Sequence, residues 1–285
     1  MMDLPFQIDL NGKVAVVTGA GGILCSDFAK AMAQCGASVA LLDINLEAAE
    51  KFAEEIRKDG GKAIAVKANC LEKASLEEAK RVVDDKLGSC DILINGAGGN
   101  NGRATTANEY FDKSTLSNPD IQDFFDLTPD GIKFVFDLNV TAAFITTQVF
   151  ALDMAKNGKG GNIINISSMN AFRPLTKIPA YSAAKSAVSN FTQWLAVHFA
   201  GTGVRANAIA PGFFVTNQNR ALLFNEEGKP TPRTEKILRG TPMGRFGESS
   251  ELIGGLLFLL SDKASGFITG HVLPIDGGFS AYSGV

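Results

Sequence analysis

From residue 13 onward, short apolar runs alternate with longer stretches in which apolar residues recur every three or four positions. That alternation is the mark of strand–helix units feeding a parallel sheet. "KVAVVTG", "ASVALLD", "KAIAVKA", "DILINGAGG", "GNIINISS" and "VRANAIAPG" predict six strands, and "HVLPID" predicts a last one. Between them, Gly22–Gln34, "NLEAAEKFAEEIRKDG", "SLEEAKRVVDDKLG", Pro179–Ala200 and Ser249–Leu260 predict helices.

Two stretches break the rhythm. Residues 100–130 are polar and rich in Asn and Thr, an insertion between the fourth strand and the next helix; residues 213–241 contain the irregular "NEEGKPTPRT". Loops leaving the carboxyl ends of strands surround the ligand crevice in such sheets, so both are candidate substrate walls, with surface loop or subunit contact as the alternative. The expected fold class is α/β, a single domain over 1–285 with a Rossmann-type doubly wound parallel sheet and helices on both faces.

Composition narrows the function classes. A chain of 285 residues that is 45% hydrophobic can bury a large core. A formal net charge of −3 offers no basic excess for a phosphate backbone or an anionic membrane surface, so neither nucleic acid nor membrane is expected as a partner. The apolar run Leu252–Leu260 has nine residues, against about 20 for a membrane span. The opening "MMDLPFQIDLNGK" lacks a basic segment followed by an apolar one, and a cytoplasmic location is expected. Cys25, Cys35, Cys70 and Cys90 form no C-x-x-C pair and there are only two histidines, so no metal site is expected, and H-E-x-x-H, G-x-S-x-G and the phosphate-loop motif are absent.

Chemistry enters at two places. "TGAGGILC", Thr18–Cys25, lets the backbone turn tightly after a strand and present a helix amino-terminus to a pyrophosphate. Asp43, 24 residues beyond Gly19, ends the second strand, where a carboxylate accepts hydrogen bonds from ribose hydroxyls and repels the extra phosphate of NADP. NAD is the expected cofactor; a helix cap or turn is the other role for Asp43. In "SSMNAFRPLTKIPAYSAAK", Tyr181 and Lys185 fall one helical turn apart on one face. A phenol with an ordinary pKa near 10 needs a nearby cation to exchange protons at neutral pH. Ser168 at the mouth of the fifth strand is positioned to orient a substrate oxygen.

Taken in order, "TGAGG", Asp43, "NGAGG", Asn139 in "DLNV", "ISS", "YSAAK" and "PGFFVT" resemble the short-chain dehydrogenase/reductase family along nearly the whole chain. The resemblance implies a catalytic tetrad of Asn139, Ser168, Tyr181 and Lys185, with the Asn holding a relay water. It implies cofactor contacts from Gly19, Gly21, Gly22, Ile23, Asp43, Ile44, Asn69, Cys70, Asn95, Ala97, Gly98, Tyr181, Lys185, Pro211, Gly212, Phe214 and Thr216. Ile23 and Cys25 stand where the family turn carries its last two glycines, and Asn69 where Asp is commoner. Within the family, "APGFF", "TPMGRFGE", "DGGFSAYSGV" and "NGAGGNN" resemble the D-mannonate oxidoreductase (fructuronate reductase) branch, implying a small-molecule sugar-acid substrate and a homo-oligomer, a tetramer. A gluconate 5-dehydrogenase-like activity and a non-catalytic NAD sensor are the alternatives. Such an acid needs a cation and hydroxyl partners: Arg173 first, then Asn170, Asn217 and Arg220, with a surface or interface salt bridge as the other role for Arg173.

Overall fold

The computed structural model describes residues 8–116, 118–216 and 223–284. Seven strands form one parallel sheet in the order β3-β2-β1-β4-β5-β6-β7. They are β1 (Val14–Thr18), β2 (Ser38–Asp43), β3 (Lys62–Lys67), β4 (Ile92–Asn95), β5 (Gly161–Ile166), β6 (Val204–Pro211) and β7 (Val272–Ile275). β1 and β6 are buried at every position, as continuous apolar runs must be when both faces of a sheet are covered. Among the described residues the helices of eight residues or more are α1 (Ile23–Gln34), α2 (Leu46–Lys58), α3 (Lys73–Lys86), α4 (Pro129–Phe136), α5 (Ala142–Lys156), α6 (Pro179–His198), α7 (Pro232–Gly240) and α8 (Ser250–Leu260).

Alternation along the strands splits the core in two. Val17, Leu41, Ile94 and Ile164 point to one side, where Phe28 and Met32 of α1, Ile56 of α2 and Leu256 of α8 meet them. Val16, Leu42, Leu93 and Ile163 point to the other, against Leu76 of α3, Phe150 of α5 and Phe191 of α6. The chain runs outward from β1 to β3 and then returns to place β4 on β1's other side, so a crevice opens at the carboxyl ends of β1 and β4.

Pro129–Lys156 is one continuous helical run of 28 residues, long and apolar enough to match a bilayer span. Its carboxyl-terminal portion, α5, packs on β4, β5 and α3, which is the setting of a core helix. Midway, Asp137–Thr141 is wound as a π-turn. Nothing in the apolar sequence announces that bulge, and such turns recur at functional sites. Among the described residues of 100–128 the helical elements are two short 3₁₀ turns, Gly102–Ala104 and Lys113–Thr115. Within the second irregular stretch, residues 223–241 are more ordered than their composition suggests. Thr231 caps α7, accepting from the Thr234 N–H at 3.3 Å, and Pro232 takes the first helical position.

Candidate active site

At the end of β1, Gly19 adopts a left-handed conformation (φ 66°), and a side chain there would meet the Ala97 backbone at 2.9 Å. Gly22 begins α1, so the amides of Ile23, Leu24 and Cys25 have no carbonyl one turn back and face the crevice end of the sheet. A Cβ on Gly21 would lie 3.0 Å from Asp43 Oδ2. Asp43 ties this turn to its own strand end, accepting from the Gly21 N–H at 2.9 Å and from the Asn45 N–H at 2.8 Å. Both carboxylate oxygens keep a second lone pair, so these turn bonds leave room for hydroxyl donors. Ile44 beside it is 64% exposed, an open apolar surface next to the carboxylate. These residues fit the pyrophosphate and ribose of a dinucleotide.

The non-glycine residues of the turn have a structural counterpart. Cys25 Sγ occupies the space above Gly96, where any Cβ would come within 2.2 Å of the sulfur and 2.7 Å of the Thr18 carbonyl. The small residue that a tight turn needs is supplied from β4's side. Gly96 was not among the expected site residues; its signal was the first glycine of "NGAGG".

Other expected cofactor residues turn their side chains elsewhere. Asn95 donates to Thr147 Oγ1 at 2.9 Å and to Asn165 Oδ1 at 2.8 Å, inside the core between the sheet and α5. Its strand register, opposite Asn165, dictates that direction. Asn69 lies four residues before α3, accepting from the Leu71 N–H and donating to Glu72 Oε1 at 2.8 Å. The Cys70 thiol is buried, which pushes its pKa up to about 11. Phe214 lies in the core against Gly247. These four can offer a cofactor main-chain atoms, while their side chains are buried or bonded within the protein. Pro211 is buried at the end of β6, and Gly212 presses on the Asp276 backbone, where a Cβ would approach within 2.5 Å. Half-buried Thr216 ends that described segment.

The four tetrad candidates converge around the turn after β4. Asn139, inside the π-turn, donates to the carbonyls of Val135 and Gly99, both at 2.7 Å, and accepts from the Gly99 N–H at 3.2 Å. The two bonds to Gly99 lock that turn down, and the one to Val135 ties the amide to its own helix. A Cβ on Gly98 would fall 2.7 Å from Asn139 Oδ1 and 3.2 Å from Lys185 Nζ, so the turn runs directly over both groups. Pro179 opens α6 and places Tyr181 in its first turn. Burial raises the Tyr181 pKa above its ordinary value, and the nearby Ser168 hydroxyl pulls it partway back. Lys185 Nζ lies 5.6 Å from the centre of the Tyr181 ring and donates to the Ile166 carbonyl at 2.8 Å. Burial lowers the Lys185 pKa to about 8.

Of the substrate candidates, Asn170 is buried two residues after Ser168, and its Oδ1 has no hydrogen-bond partner. Arg173 is exposed and turned toward the chain end, its Nε donating to the Ser280 carbonyl at 3.2 Å. Asn217 and Arg220 lie outside the described residues. A cavity of about 340 Å³ opens elsewhere, between the ends of β6 and β7 and α8; it touches Phe214 but none of the tetrad candidates.

A sheet with its crevice at the β1/β4 switch, a glycine turn and a Ser–Tyr–Lys group beside it define a dinucleotide-dependent oxidoreductase fold. A family model for short chain dehydrogenases matches residues 13–227, and the chain belongs to that family. It is 58% identical to a proposed D-mannonate oxidoreductase from Haemophilus influenzae whose crystal structure holds NAD, with a TM-score of 0.93 over 99% of this chain and 100% of that one. Two Escherichia coli enzymes are each 32% identical. The 5-keto-D-gluconate 5-reductase match covers 94% of this chain and 96% of that protein; the 7alpha-hydroxysteroid dehydrogenase match covers 95% and 96%.

Proposed function

We propose that this chain is an NAD-dependent reductase that interconverts the keto group of D-fructuronate and the hydroxyl of D-mannonate. The observation that carries the reading is Lys185 Nζ held 5.6 Å from the Tyr181 ring and 3.2 Å from where a Cβ on Gly98 would lie, with Ser168 buried beside them at the mouth of β5. In the reducing direction the Tyr181 hydroxyl gives its proton to the carbonyl oxygen, and in the oxidising direction the phenolate takes it back. Ser168 orients that oxygen, Lys185 favours the phenolate electrostatically, and Asn139 holds the 98–99 turn over both. NAD, when bound, supplies or accepts the hydride. Asp43 supports NAD over NADP, since a carboxylate repels a 2′-phosphate. The NAD held by the Haemophilus relative and the sugar-acid specificity of the Escherichia reductase support the cofactor and substrate class. That same Escherichia reductase favours a 5-keto-gluconate-type acid as the second reading.

The test is a screen with NADH and NADPH against D-fructuronate, 5-keto-D-gluconate and an oxo-steroid acid, following absorbance of the reduced nicotinamide. NADH should be consumed with D-fructuronate, and NADPH far more slowly. NADH binding without consumption by any keto acid would instead mark a non-catalytic sensor. We further propose a cytoplasmic homotetramer. The outer faces of α5 and α6 leave Phe144, Trp194 and Val197 exposed, an apolar surface suited to a second copy. Light scattering should give four times the chain mass, and a monomer at micromolar concentration overturns this.

A further inference from the structure

A sugar acid presents a carboxylate, and none of the tetrad candidates is placed to bind it. Lys185 donates to the Ile166 carbonyl under the Gly98 turn, and Arg173 reaches toward Ser280. Cations gather instead where the loops leaving β4, β5 and β6 meet. Glu109 of the insertion forms an ion pair with Lys236 of α7. Lys177, from the loop after β5, and Arg233 of α7 also act on the Glu109 carboxylate at longer range. The insertion thus touches the loop after β5 at the Lys177 carbonyl and α7 at Lys236, and Arg233 lies one helical turn before Lys236. Among the described residues, neither Lys177 nor Arg233 has an ion-pair partner of its own within 4.0 Å.

Lys177 stands four residues before Tyr181 and is the one non-glycine residue among those described with a positive φ, 73°. That conformation is strained for a residue with a side chain and persists only where the surroundings hold it. The insertion does so, the Thr106 N–H donating to the Lys177 carbonyl at 2.8 Å. Glycine would take this backbone without strain, so the lysine side chain serves something other than the turn. The same loop carries Asn170, whose buried Oδ1 lacks a donor. An unpaired amide oxygen and an unpaired cation on one loop match a polyhydroxy acid: a hydroxyl for the first, a carboxylate for the second.

We propose that Lys177, with Arg233 opposite it, forms the subsite that binds the substrate carboxylate, while Glu109 and Lys236 clamp the insertion to α7 and hold the two cations in register. The proposal rests on the sugar-acid reading above. The test compares the keto acid with its primary amide, a neutral isostere, in the wild type and in Lys177→Met, Lys177→Gly and Arg233→Gln. Losing a charge-assisted contact should raise KM for the acid about 10- to 100-fold. KM for the amide, kcat at saturating acid and NADH affinity by fluorescence should hardly move. Lys177→Gly removes the strain along with the charge, so an equal effect in the Gly and Met variants assigns the change to the ammonium group. In the wild type KM for the acid should climb with ionic strength, and the slope should flatten in each variant. Unchanged KM for the acid in both Lys177 variants, or an equal rise for acid and amide, overturns the subsite alone. A wild type that reduces neutral ketones and no acid overturns the sugar-acid reading and the subsite with it.

Discussion

Replacing Lys185 with methionine should make the cofactor-free protein more stable at neutral pH while abolishing its chemistry. Lys185 is buried, and no carboxylate lies within ion-pair distance of it among the described residues; its Nζ bonds the Ile166 carbonyl. Burial disfavours the charged form, which is why its pKa falls from 10.5 to about 8. Below pH 8 the lysine is protonated in the folded and unfolded chains alike, and folding bears the full cost of burying the charge. At about 1.4 kcal/mol per pH unit that cost is about 3 kcal/mol. Between about 8 and 10.5 the folded chain has lost the proton and the unfolded chain retains it. The unfolded state then binds more protons, so stability climbs with pH through this window.

Methionine keeps the aliphatic stem and removes both the charge and the slope. It also leaves the Ile166 carbonyl without that donor, an offset of about 1 kcal/mol. Lys185→Met should therefore be about 1–2 kcal/mol more stable than the wild type at pH 7, and the advantage should vanish or reverse by pH 10. Urea denaturation of both proteins at pH 7 and 9.5, without cofactor, measures this. The Cys70 thiol, pushed up to about 11 by burial, lowers stability at alkaline pH in both proteins and cancels in the difference; Cys25 interacts with Lys185, so both proteins carry Cys25→Ala in the comparison. A variant less stable than wild type at pH 7, or a difference unchanged between the two pH values, would refute the claim that the buried cation is held at a cost.

Tyr181→Phe should lower kcat by roughly 10²- to 10⁴-fold with NADH affinity intact, measured by steady-state rates and fluorescence titration. Gly96→Ala forces a methyl group to 2.2 Å from Cys25 Sγ and should cost about 1–3 kcal/mol in urea. Adding Cys25→Ala should restore only part, because the Thr18 carbonyl at 2.7 Å is backbone; full restoration would show the sulfur to be the sole obstacle. Asp43→Ser should shift the ratio of kcat/KM for NADPH over NADH upward, and an unchanged ratio would assign Asp43 to turn formation alone.

Strands and helices were legible wherever one physical signal dominates. Apolar runs gave the seven strands, and the glycine turn fell beside the β1/β4 switch with Asp43 at the end of the neighbouring β2. What escaped depends on direction and distance. Asn95 looks like a turn residue by position, but its register opposite Asn165 sends it into the core. The π-turn around Asn139 lies in an apolar helix without proline or glycine at the bulge. The Glu109–Lys236 pair joins residues 127 positions apart, beyond any local pattern. Arg173 has the right charge at a plausible spacing, yet its guanidinium follows the carboxyl-terminal segment.

The departure of the glycine turn from its family pattern follows from the same geometry. A dinucleotide turn needs a close approach between the start of α1 and the turn after β4, and either partner can supply the missing side chain. Here α1 carries the bulk, at Ile23 and Cys25, and the β4 turn gives way at Gly96. Two residues later that turn yields again, at Gly98, this time to Asn139 and Lys185. One short backbone segment is therefore pressed between the cofactor-side helix and the proton-transfer groups. A displacement at Cys25 is carried by Gly96–Gly99 to the amide of Asn139, which bonds both backbone groups of Gly99. Substitutions on the two sides of this segment should not act independently, because residues sharing one packed backbone element couple.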